Sequence, residues 1–109
     1  MVTIREGKEP YTLVNVFQVE PENQEALASL LRQATDSAMR QLPGFISANI
    51  HRSYDGRRVV NYAQWRSRED YEAMQRDPKA TPHMAEAAQL TESFDPILCE
   101  VVESFEVSG

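Results

Sequence analysis

Hydrophobic and polar positions recur with two periods along the chain, and each change of period marks an element. From Tyr11 to Glu20 the pattern alternates as in a strand, with Leu13, Asn15, Phe17 and Val19 on one face and Thr12, Val14, Val16 and Gln18 on the other. Pro21 then opens a helix, with Glu22 and Glu25 in its first turn. Leu27, Leu30, Leu31, Ala34, Ala38 and Leu42 follow at helical spacing and predict an amphipathic helix over 22–41, ended by Pro43-Gly44. Alternation returns from Phe45 to Arg52, with Phe45, Ser47, Asn49 and His51 on one face and Ile46, Ala48 and Ile50 on the other. Asp55-Gly56 signals a hairpin into a third strand, Arg57 to Arg66, on which Val59, Asn61, Ala63 and Trp65 share a side. Ser67-Arg68-Glu69-Asp70 is a capping-box start for a helix through Asp77, where Pro78 interrupts it. Thr81-Pro82 provides a fresh N-cap and first turn for a segment to Gln89. Phe94-Asp95-Pro96 is expected to turn, and Ile97 to Val107 to form the last strand.

The order strand, helix, strand, strand, helix, strand predicts an α+β, ferredoxin-like βαββαβ domain over 11–107, preceded by a loose arm over 1–10. Its four-stranded antiparallel sheet should have the first and third strands at the centre and both helices on one face. Asn15 and Asn61 then lie on neighbouring strands. The opposite face would carry Val14, Val16, Ile46, Ala48, Ile50, Val60 and Tyr62. An apolar patch of that extent is rare on a monomer, and the helices cover only one side. A homodimer packed sheet against sheet, a dimeric α+β barrel, is therefore expected.

Composition narrows the possibilities. The chain of 109 residues suits one domain, and a net charge of −6 argues against a nucleic-acid or anionic membrane surface. Cys99 is the only cysteine, so an internal disulfide and a thiolate metal site are both excluded. No apolar run approaches membrane-spanning length, and Met1-Val2-Thr3-Ile4-Arg5-Glu6 lacks a signal-peptide core, so a cytoplasmic protein is the default expectation. His51 and His83 are too far apart to make a metal-binding motif. There is no glycine-rich phosphate loop and no nucleophile elbow.

What remains is the polar content of the helix-facing side. Asn15, Asn61 and His51 are expected there among apolar neighbours, with Trp65, Tyr71, Met74 and His83 projecting to the same space. Packing explains any one of them singly: Trp65 as core, Tyr71 as a first-turn helix residue, His83 as a helix-start residue. Unpaired buried polar groups cost about 1–3 kcal/mol each, so several converging imply a ligand. Amide, imidazole, phenol and indole in an apolar setting suit a flat aromatic molecule.

Those residues stand in a familiar register. Pro43-Gly44-Phe45, His51, the run Val59-Val60-Asn61-Tyr62-Ala63-Gln64-Trp65, and Tyr71 resemble the antibiotic biosynthesis monooxygenase domain, in particular its small anthrone oxygenases. The likeness covers 11–107, and Thr12-Leu13-Val14-Asn15 resembles the first strand of some members. The resemblance implies oxidation of an electron-rich polycyclic phenol, anthrone or hydroquinone to a quinone by O₂, without flavin, haem or metal. It implies that Asn61 and Trp65 bind and polarise the substrate's oxygens, and that Tyr71 and His51 hydrogen-bond the phenol or relay protons. Asn15, Phe17, Met74 and His83 would complete substrate binding. Some members carry an Arg beyond the Asp-Pro of the second helix; this chain has none after Arg76, and His83 is the candidate for its place. Two other readings belong to the same fold. A haem-degrading monooxygenase would use His83 as iron ligand beside Asn15 and Trp65. A non-redox polyketide cyclase or binding protein would rearrange its ligand without consuming O₂.

Overall fold

The computed structural model describes residues 7–107. The elements run β1 (Gly7–Gln18), α1 (Gln24–Ser37), β2 (Phe45–Arg52), β3 (Arg58–Trp65), α2 (Arg68–Arg76), α3 (Thr81–Leu90) and β4 (Ser93–Val101). Single 3₁₀ turns, Pro21–Asn23 and Met39–Gln41, flank α1. The strands form one sheet in the order β2-β3-β1-β4, with β1 antiparallel to both β3 and β4. This is the expected split βαββαβ arrangement, with the first and third strands central.

Boundaries differ from the sequence pattern at four places, each for a physical reason. β1 starts at Gly7, inside the expected arm, because Gly7 pairs with Val101; residues 1–6 lie outside the described residues. The long first helix stops at Ser37, and Ala38 leaves helical geometry at φ −130° and ψ −62°. There Thr35 and Ser37 turn their hydroxyls back onto the carbonyls of Leu31 and Gln33, both at 2.8 Å, a bond that competes with regular helix. The expected turn at Phe94-Asp95-Pro96 is instead part of β4: Phe94 pairs with Phe17 and Pro96 with Asn15. β4 is an edge strand, where a residue without an N–H is tolerated. It ends at Val101 rather than Val107, where its pairing with Gly7 ends.

The junction from β3 to α2 is the most heavily tied part of the fold. Ser67 caps α2, accepting from Asp70 N at 3.2 Å while its hydroxyl donates to Asp70 Oδ2 at 2.9 Å. Arg66 grips the same carboxylate with two bonds, 2.8 and 3.0 Å, and its backbone N–H donates to Gly44 O at 2.6 Å. The bonds to its carboxylate lower the Asp70 pKa from its ordinary value, the Arg66 hydrogen bond first among them. Gly44 sits at φ +84°, and a Cβ there would collide with Asp70. Trp65 and Tyr71 stand at either end of this junction and are thereby set in relation to each other.

The core under the helices is divided. One cluster gathers Leu13, Leu42, Ala63, Trp65, Tyr71, Met74 and Ala80. The other gathers Phe17, Val19, Leu27, Val59 and Ala87. No helix among the described residues is long and apolar enough to cross a membrane.

Candidate active site

Register across the sheet explains the division. On the helix-facing side, one row of cross-strand neighbours is Ala48, Ala63, Leu13 and Leu98, and another is Val59, Phe17 and Phe94. Between them runs Ile50, Asn61, Asn15 and Pro96. The Asn15–Asn61 pair thus lies directly opposite across the two central strands, between the two apolar clusters. A cavity of about 330 Å³ occupies this position. The sheet contributes Asn15, Asn61, Phe17 and Trp65 to its wall; α1 contributes Leu31, Ala34 and Thr35. From α2 come Tyr71, Met74 and Gln75, and from α3 His83, Met84, Ala87 and Ala88.

The polar groups are few and incompletely satisfied. Oδ1 of Asn15, Oδ1 of Asn61 and Nδ1 of His83 are all buried with no hydrogen-bond partner. Each such group costs about 1–3 kcal/mol until something bonds to it. Tyr71 is 5% exposed, and its phenol oxygen accepts a hydrogen bond from Gln75 Nε2 at 3.1 Å. Burial pushes the Tyr71 phenol above the ordinary tyrosine range, the nearby Tyr11 adds to this, and the Gln75 bond opposes it. Tyr71 is therefore a neutral donor near pH 7. Trp65, 2% exposed, is held edge-on by Phe45, with ring centroids 5.4 Å apart and planes at 88°. No cluster of metal-ligating side chains is present among the described residues.

Asn15, Asn61, Trp65, Tyr71, Phe17, Met74 and His83 all line this one cavity. His51 does not. A β-bulge between Phe45 and Ser47 makes Ile46 an extra residue, so Phe45 opposes Trp65 but Ser47 opposes Gln64. Beyond the bulge every side chain of β2 faces the other way from the simple alternation. His51 pairs with Val60 and is exposed on the outer face, while Ala48 and Ile50 turn inward. The expectation that His51 shares the site is corrected accordingly, and Ala48 and Ile50 leave the expected outer patch. Phe94 and Pro96 also border the cavity, although their sequence suggested only a turn. Gln75 could have been found from its helical spacing of four from Tyr71.

The sequence profile described as "Antibiotic biosynthesis monooxygenase" matches residues 10–90. The chain belongs to the antibiotic biosynthesis monooxygenase family. It is 48% identical over 105 residues to tetracenomycin-F1 monooxygenase of Streptomyces glaucescens, covering 96% of this chain and 93% of that one. Among solved structures it resembles the monooxygenase from the gene ActVA-Orf6 of Streptomyces coelicolor, determined with nanaomycin D. The TM-score is 0.83 at 28% identity, covering 92% of this chain and 94% of that one. SnoaB of Streptomyces nogalater, a cofactor-independent oxygenase, shares the fold, with a TM-score of 0.77 at 20% identity over 88% of this chain and 96% of that one. Like these family members, the chain is a monooxygenase.

Proposed function

We propose that the cavity takes an electron-rich polycyclic phenol, an anthrone or a hydroquinone of polyketide type, and that O₂ converts it to the quinone there without an organic or metal cofactor. The main support is the Asn15–Asn61 pair, two half-buried side chains with buried, unsatisfied amide oxygens, placed opposite each other across the central strands between two apolar clusters. The 48% identity to a monooxygenase named for tetracenomycin F1 points the same way.

Triplet O₂ reacts slowly with closed-shell molecules, which is why oxygen chemistry is usually delegated to a cofactor. An anthrone or phenol that has lost a proton is electron-rich enough to give O₂ its first electron itself. The protein then has three tasks: to favour the substrate anion, to hold it in place, and to exclude water. The amide N–H of Asn61 and the indole N–H of Trp65 polarise the substrate's oxygen, the free amide oxygens of Asn15 and Asn61 accept from its remaining hydroxyls, and neutral Tyr71, its own oxygen occupied by Gln75, directs its hydrogen to the polarised oxygen as well. Asn15, Phe17 and Met74 hold the ring system. Radical recombination forms a carbon–oxygen bond and a peroxide; loss of water from the hydroperoxide leaves the carbonyl.

O₂ uptake with anthrone tests this reading. Asn61→Ala is expected to lose on the order of 10²–10³-fold in kcat, the cost of removing one preorganised donor, and Trp65→Phe to lose activity as well. Uptake undiminished in both variants, or a product rearranged but not oxidised, would refute it. The haem-degrading alternative has one observation in its favour, the buried, unpaired Nδ1 of His83, a residue of the cavity wall. Against it, no Lys or Arg among the described residues lines the cavity to meet haem's carboxylates. Titration with haemin is expected to give no Soret shift that His83→Ala abolishes.

The assembly belongs to the same proposal. Val14, Val16, Val60 and Tyr62 remain only half-buried on the outer face, and Ile97 beside them is 46% exposed. Ser47 Oγ, paired in register with Gln64 on that face, is buried without a partner. A second copy packed sheet against sheet would cover this surface. A cytoplasmic location completes the reading and agrees with the free thiol of Cys99.

A further inference from the structure

We propose that His83 is the catalytic base, its Nδ1 taking the substrate's proton and returning it to the oxygen that leaves as water. The inference rests on the oxygenase reading above and assigns its proton transfers. Quinone formation from an anthrone methylene moves two protons off carbon, so a group inside the cavity must accept them. Among the described residues lining the cavity only Tyr71 and His83 are titratable, and no Asp, Glu, Lys or Arg is among them. Tyr71 already holds its proton and is kept neutral by burial. An amide is too weak a base. His83 is what remains, and its Nδ1 is buried and free of any partner.

Local structure sets this side chain where it is. Pro78 breaks the helical crossover, Asp77 O accepts from Ala80 N at 2.9 Å and from Thr81 N at 3.1 Å, and α3 restarts with Pro82 in its first turn. His83 follows, its backbone N–H bonded to Ala80 O at 3.1 Å. Among the described residues the surfaces facing it carry no charge: Leu31, Ala34 and Thr35 from α1, Tyr71, Met74 and Gln75 from α2, and Asn15, Asn61 and Trp65 from the sheet. Phe94 and Pro96 close the β4 side. Glu86, the one charged residue on α3, lies in a separate groove against α1.

The steps balance. Nδ1 accepts the first methylene proton, and the carbon–hydrogen electron pair stays on the ring system as the anion. O₂ takes one electron, and the resulting radical pair combines into a carbon–oxygen bond with a terminal peroxide anion. Protonated His83 returns its proton there, forming the hydroperoxide. Nδ1 then takes the second proton from the same carbon as the O–O bond breaks. Hydroxide leaves, and His83 protonates it to water. One methylene and one O₂ become one carbonyl and one water.

Deuterium entering the methylene of anthrone under nitrogen, followed by NMR, isolates proton removal from oxidation. Wild-type protein is expected to accelerate exchange, with the acceleration lost on going to acid pH, as for any base that acts unprotonated. His83→Gln is expected to lose about 10²–10⁴-fold of it, and His83→Ala to regain exchange with added imidazole. Unchanged exchange in His83→Gln overturns the assignment, as does wild-type exchange that is absent or flat with pH. If the Gln variant does not fold, His83→Asn replaces it, and the wild-type pH profile decides by itself. Exchange without O₂ uptake in air would sink the oxygenase reading and leave the base standing; uptake with normal exchange in the variant would do the reverse.

Discussion

Tyr71 illustrates how neighbours restrict a side chain to one chemical role. Ser67 caps the helix that carries it, Gln75 occupies its oxygen, and burial keeps its proton on. The shift has a consequence for stability. Above about pH 10, the ordinary tyrosine range, an unfolded chain releases this proton while the folded chain retains it. The native state then binds more protons than the unfolded state, so stability falls as pH rises through that range. Tyr71→Phe is expected to flatten the alkaline decline, measured as the urea midpoint from about pH 9 to 11. Equal slopes in variant and wild type would show that Tyr71 titrates as it would in water. At this scale the sequence was informative: Asn61, Trp65, Tyr71 and His83 were legible as candidates because their chemistry is unusual among apolar neighbours.

Within the elements, β2 is the instructive case. Strict alternation puts His51 with Phe45 on the inner face, yet a single extra residue at Ile46 reverses every position after it. Such a bulge costs one ladder position and leaves no signature in a run as ordinary as Phe45-Ile46-Ser47-Ala48. The reversal benefits the site, since it brings the small side chain of Ala48 beside the cavity where a larger one would fill it. Ala48→Phe is therefore expected to raise KM steeply or abolish turnover, whereas His51→Ala should leave O₂ uptake within about twofold of wild type. Loss of activity in His51→Ala with a normal Ala48→Phe would mean that the register of β2 is wrong. β4 departs from the sequence pattern for a related reason: Pro96 resembles a turn residue, but its strand lies at an edge of the sheet, where a residue without an N–H fits.

For the whole molecule, the cavity exists because the core is split. Two clusters pack separately beneath the helices, and the amide row keeps them apart. The opposite face of the sheet is left partly exposed. Val102, Phe105 and Val107 are 85%, 85% and 99% exposed after β4, adding to the apolar surface left uncovered. Light scattering is expected to give twice the chain mass in solution. Val16→Glu combined with Val60→Glu, a charged pair at the centre of the outer face, should yield monomers or insoluble protein. A wild-type chain that scatters as a monomer at micromolar concentration would overturn the dimer.

Period and punctuation alone determined the element types, their order, and hence the ferredoxin-like topology, because local propensity and hydrophobic alternation act over a few residues. They also marked the amides and the indole, since alternation on uninterrupted strands carries each side chain to a definite face. Only the tertiary structure decided which histidine enters the cavity, that Asn15 and Asn61 stand opposite each other, and that Phe94 and Pro96 border the site. Those facts depend on register between strands distant in sequence, and a register can shift by one residue without any change in local pattern.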